Sequence, residues 1–159
     1  MKSLLSVFFV SSRLTQWNLF VLLALLGLFP LTVQAQNSQD FGQFVVHFNA
    51  IKTDFLQEAV AKQYQLNRAK DRGLVNIAVL KKVMSMPSQP TPAQIEGSAV
   101  TLSKQLRNLD IKEIKDGNAI YYLTEFKIGD GETLDFTFNV KPEGDSEAYT
   151  VKFRHTFYH

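Results

Sequence analysis

A chain of 159 residues without a cysteine cannot be held together by disulfides, and 45% hydrophobic residues are too many for a disordered segment. The formal charge of +2 comes from 17 basic against 15 acidic residues, too even a balance for the basic patch that nucleic acid requires.

The first 35 residues read as a secretory signal peptide. Lys2 and Arg13 stand in a stretch without an acid, and an apolar run follows from Leu19 to Phe29. That run is shorter than the ~20 residues a membrane-spanning helix needs. Pro30 ends it, and Val33-Gln34-Ala35 offers small residues at the spacing a signal peptidase reads. Cleavage after Ala35 is expected, placing the protein in the periplasm or outside the cell. An uncleaved anchor is the alternative, because Val7 to Val10 extends the apolar character. Loss of Lys2 and Arg13 brings the basic residues level with the 15 acidic ones, which leaves no attraction to an anionic membrane. Residues 36–159 are enough for one domain with its own core.

In chain order, Phe44 to Ile51 alternates with period two and predicts a strand. Thr53-Asp54 then begins a short amphipathic helix through Tyr64, with Leu56, Val60 and Tyr64 on one stripe and Asp54-x-x-Gln57 as a capping-box variant. Arg68, Lys70 and Arg72 form a basic connector, read either as a solvated link or as a contact for an acidic partner. Leu74 to Val83 is rich in β-branched residues and predicts a strand. Pro87, Pro90 and Pro92 make the next stretch a loop or an extended edge. Strands are predicted over about Ile95–Ser103 and Leu106–Ile114. Asp116-Gly117-Asn118 is a tight turn, and a strand over Ala119–Ile128 follows. Tyr121 and Tyr122 must point to opposite faces of it, one into the core and the other toward solvent, where an aromatic patch would suit protein binding. After Asp130-Gly131, the alternation of Leu134, Phe136, Phe138 and Val140 is the clearest in the chain. Pro142 to Asp145 turns it again, and Tyr149–Tyr158 closes it with Val151, Phe153, His155 and Phe157 on one face.

Seven strands and one short helix predict an all-β fold, an immunoglobulin-like antiparallel β-sandwich; a β-barrel shares these local signals. The phrases DFGQFVVHFNAI, TDFLQEAVAKQY, GLVNIAVLKK, KDGNAIYYLTEFKI and TVKFRHTFY together resemble DUF4426, a family of small exported proteobacterial proteins without an assigned function. The resemblance implies a secreted single domain and transfers no site residue. The strand rhythm is also similar, at the level of fold alone, to immunoglobulin-like periplasmic domains of metal-handling accessory proteins.

The chemistry-bearing residues are sparse. His155 and His159 lie four residues apart, which on a straight strand is about 13 Å at ~3.3 Å per residue, too far for one ion. His155, between Phe153 and Phe157, is expected to be half-buried. Met84 and Met86, with His47 as a third donor, are the candidate soft-metal ligands, since thioethers suit Cu(I). Gly97-Ser98 lacks the surroundings of a nucleophile elbow, and Asp130 and Glu132 are expected to be solvated. No phosphate loop or HExxH motif occurs. The expectation is a non-enzymatic binding or accessory module, without cofactor, that contacts an envelope protein. A copper-binding accessory domain and an enzyme without a recognisable motif are the alternatives.

Overall fold

The computed structural model describes residues 37–158, so residues 1–36, with the expected signal peptide, and His159 lie outside the described residues. The elements are β1 (Ser38–Phe41), β2 (Phe44–Lys52), a 3-10 turn (Thr53–Phe55), α1 (Glu58–Gln63), β3 (Arg72–Val83), β4 (Met86–Pro90), β5 (Ala93–Thr101), β6 (Leu106–Leu109), β7 (Lys112–Asp116), β8 (Ala119–Lys127), β9 (Glu132–Pro142) and β10 (Tyr149–Phe157). One sheet runs β1-β2-β3-β8-β7, with β4 paired to β3, and the other runs β10-β9-β5-β6. All pairings are antiparallel. The order β2-β3-β8-β7 opposite β10-β9-β5 reproduces the A-B-E-D and G-F-C sheets of an immunoglobulin fold, with β6 as an added strand beside C. The expected sandwich is therefore the fold, and its two separate sheets exclude a closed barrel.

Ten strands appear among the described residues where seven were expected. β1 is a four-residue edge piece, too short to show a period. β4 forms despite Pro87 and Pro90 because it is an edge strand, where a missing N–H costs little. The stretch from Leu106 to Ile114 is two strands: β6 pairs with β5, β7 pairs with β8, and the chain changes sheets between them at Asp110-Ile111. The helix shrinks to Glu58–Gln63, and no side chain caps it. Thr53, expected at its start, instead turns inward: its Oγ1 donates to the Ala69 carbonyl (3.1 Å) and accepts the Ala69 N–H (3.0 Å).

The core lies between the sheets. Phe44, Val46, Phe48 and Ala50 of β2 and Val75, Ile77 and Val79 of β3 meet Leu134, Phe136, Phe138 and Val140 of β9 and Val151 and Phe157 of β10. Phenylalanine rings bridge the two layers: Phe48 stacks on Phe153 at 4.5 Å, Phe153 on Phe136 at 4.9 Å, and Phe126 reaches Phe136 at 5.6 Å. Gly97 makes room for this arrangement, since a Cβ there would collide with the Phe138 ring. On the outer face of the first sheet, Leu74, Leu123 and Ala61 are buried apart from this cluster. The β2–β3 connection crosses that face, pinned by the Tyr64 hydroxyl to Asp116 (2.7 Å) and by the Asn67 N–H to Glu125 (3.0 Å).

Candidate functional site

Of the predicted metal ligands, His47 stands apart from Met84 and Met86. Met84 and Ser85 form the two-residue turn between β3 and β4, with Val83 paired to Met86. Ser85 takes the left-handed conformation at φ 63° that glycine or asparagine usually fills. His47 lies on the exposed face of β2 opposite Ala78. Ala78 is five residues from Val83, which is about 17 Å along the strand at ~3.3 Å per residue. His47 therefore cannot share an ion with the methionines. His155 is half-buried as expected, edge-on to Phe157 at 4.5 Å, and burial lowers its pKa.

The carboxylate and basic candidates serve the fold. Glu132 is not a solvated carboxylate: it pairs with Arg107 (Nη2–Oε1 2.5 Å) and accepts the Gly129 N–H (2.9 Å), while Arg107 also donates to the Lys127 carbonyl (3.1 Å). These groups line a cleft of about 570 Å³ with Leu109, Phe126 and Ile128. In the basic connector, Arg72 pairs with Glu125 at 2.6 Å and Arg68 donates to the Asp54 carbonyl at 3.0 Å. Ser98 is held in the β5 ladder opposite Thr137 and Asn108, which is not the sharp turn a nucleophile needs.

One polar cluster has no counterpart in the sequence pattern. The Tyr122 hydroxyl accepts the Ala93 N–H at 2.6 Å and donates to Glu113 at 3.0 Å. It thereby ties β8 to β7 and, across the sandwich, to β5. Burial raises the pKa of this phenol, the Ala93 N–H opposes the rise, and Glu113 adds to it, giving about 12. Glu113 is lowered by Lys115 and by the same hydroxyl. A phenol kept neutral to such a pH is a poor general base, and its geometry is that of a structural clasp. Only its place beside the aromatic run hints at this role; Glu113 gives no signal. The neighbouring Tyr121 is half-buried and Leu123 buried, so the aromatic patch expected beside Tyr121 is covered.

The exposed apolar side chains lie elsewhere. Phe126 against Phe157, Arg107 on Lys127, Lys52 paired with Gly73 beside Phe126, and Thr101 paired with Leu134 show that β2, β5, β8 and β10 finish at one common end. Phe55 is 72% exposed just beyond β2, Leu102 and Leu106 each 66% exposed around the β5–β6 turn, and Tyr158 70% exposed just beyond β10. Four of the six large apolar side chains exposed among the described residues thus leave from this end; Met84 and Met86 leave from the other.

A family model described as "Domain of unknown function (DUF4426)" matches residues 38–159. The chain belongs to the DUF4426 family. The resemblance seen in the sequence phrases is thereby borne out. A DUF4426 family protein from Pseudomonas aeruginosa PAO1, solved by crystallography, is 32% identical with a TM-score of 0.66, over 79% of this chain and 98% of that one. FetP from uropathogenic E. coli strain F11 superposes with a TM-score of 0.54 at 10% identity, over 76% of this chain and 92% of that one, a likeness of fold alone. No functionally curated protein matches the chain. The DUF4426 assignment thus fixes family and architecture and brings no activity.

Proposed function

We propose that this DUF4426 domain is a non-enzymatic binding module of the cell envelope, exported by a signal peptide cleaved after Ala35, that holds a partner protein at one end of its sandwich. The observation that carries the reading is that Phe55, Leu102, Leu106 and Tyr158 are all exposed where their strands begin or finish at that end. Exposed leucine, phenylalanine and tyrosine on loops around a rigid sandwich are the composition of a docking surface. Arg107, next to Leu106, is paired with Glu132, and the Lys52 ammonium lies over the Phe55 ring at 5.6 Å, so these groups offer a polar rim. The test is affinity capture from the envelope fraction with the tagged wild type and with a Leu102→Asp/Leu106→Asp variant. The expected outcome is a stoichiometric protein partner held by the wild type and lost by the variant, whose thermal unfolding is unchanged. Equal capture by both proteins overturns the reading. A recovered protein that begins at Met1 rather than Gln36 overturns its cleavage step.

A further inference from the structure

We infer that the β3–β4 turn is a binding site for a monovalent soft cation of the Cu(I) class, built from the two thioethers of Met84 and Met86 alone. Methionine ranks among the residues most often buried. This chain contains three, of which Met1 falls in the leader. The other two stand together on one turn, 91% and 57% exposed, while the core is built from phenylalanine, valine, leucine and isoleucine without a methionine. Packing therefore does not account for their placement, and their position outside the apolar end means the inference stands apart from the docking reading.

The geometry suits chelation. The two Cα atoms are two residues apart, so at most about 7 Å separates them. Flexible unbranched side chains from such positions reach a common point. Ser85 at φ 63° holds the turn tight between them. The chain has no cysteine, so these thioethers are its only sulfur ligands outside the leader. Charge selects the ion. Thioethers are neutral donors, and Lys81 and Lys82 lie just before the turn, Lys82 paired with Asp40 and Lys81 over the Phe44 ring. A neutral donor set beside the Lys81 ammonium, with Lys82 neutralised by Asp40, disfavours a divalent ion more than a monovalent one. Soft sulfur then favours Cu(I) over the hard ions.

The test uses Ag(I), a redox-inert ion of the same charge and softness, with the purified protein carrying ¹³C-methyl methionine. Met84→Leu and Met86→Leu assign the two methyl signals and keep the side-chain volume on an exposed turn, so folding is not at stake. The expected result is that both signals shift together, saturate at one equivalent, and lose that saturable response in either variant. His47→Asn is expected to respond as the wild type does. Unmoved methyl signals, movement of one signal only, a response that survives in either leucine variant, or a response lost in His47→Asn each overturns the inference.

Discussion

Phe136→Ala tests the core directly. Phe136 is 1% exposed at the middle of β9, and its ring lies 4.9 Å from Phe153, 5.6 Å from Phe126, 6.2 Å from Phe138 and 6.5 Å from Phe157. Removing a buried phenylalanine ring costs about 3–5 kcal/mol through lost transfer and residual cavity. Here the cavity closes poorly. Its walls are rings held by one another, such as Phe153 stacked on Phe48, and each aromatic pair adds about 0.5–1.5 kcal/mol beyond its area. The expected loss is therefore near the upper bound, about 4–5 kcal/mol, from a total of roughly 6–18 kcal/mol for a domain of this size. At about 3–5 °C per kcal/mol, Tm falls by roughly 12–25 °C. Urea unfolding followed by far-UV circular dichroism and tyrosine fluorescence measures the loss, since the single tryptophan, Trp17, precedes residues 38–159 that match the family. A loss under about 1 kcal/mol with an unchanged denaturant slope would refute a dry, interlocked ring cluster.

Gly117 is the first of the two residues joining β7 to β8 and sits at φ 56°, with open space where a Cβ would stand. Gly117→Val is therefore expected to cost about 1–2 kcal/mol through backbone strain alone, and Gly117→Asn clearly less; equal urea midpoints for the two variants would count against the turn geometry. Tyr122→Phe leaves the Ala93 N–H without its acceptor, Glu113 keeping Lys115, and is expected to cost about 1–3 kcal/mol at neutral pH. Because the folded phenol titrates at about 12 rather than 10, wild-type stability is complete below pH 10 and is lost as the pH rises from 10 toward 12; the phenylalanine variant lacks that decline in alkaline urea titrations. His155 runs the other way: burial lowers its pKa below 6.5, so the unfolded chain binds the proton first and stability falls as the pH drops through 6.5. His155→Leu is expected to flatten the Tm profile between pH 7 and 5, and an unchanged slope would remove His155 from that dependence.

The strands legible in the sequence are those in which alternation and burial coincide. Phe44 to Lys52 and Glu132 to Pro142 each bury every second residue, and their period predicts both the strand and its inward face. Alternation cannot say which sheet a strand joins. Leu106 to Ile114 therefore reads as one strand although Leu109 packs in the core and the chain changes sheets just after it. The β3–β4 turn is hidden because Ser85 supplies the positive φ without glycine or asparagine. Thr53 has the residue type of a helix start, yet its hydroxyl finds a better partner in Ala69, sixteen residues on, than any N–H of the following turn. Of the sites, the exposure of Met84 and Met86 is legible from the prolines around them. The separation of His47 and the exposure of Phe55 and Tyr158 at one end depend on strand register, which no local pattern encodes.

An immunoglobulin-like domain commonly locks its two sheets with a disulfide; this one has no cysteine and must lock them otherwise. Stacked rings do part of that, Phe48 on Phe153 from opposite sheets, and the Tyr122 clasp does another part by holding the Ala93 N–H of the facing sheet. Phe126 against Phe157 extends these cross-sheet contacts toward one end, and Phe41 stacked on Tyr149 at 4.8 Å extends them toward the other. The exposed apolar side chains Leu102 and Met84 stand outside these locks. Exchanging a group as exposed as Leu102 or Met84 removes little buried area, and stability changes at such positions usually stay within about 0.5 kcal/mol. The proposed contacts are thus separable from folding in this protein. A variant at either end that loses a ligand while keeping its Tm has lost a contact, whereas Phe136→Ala loses the scaffold; the two outcomes cannot be confused in one melting curve.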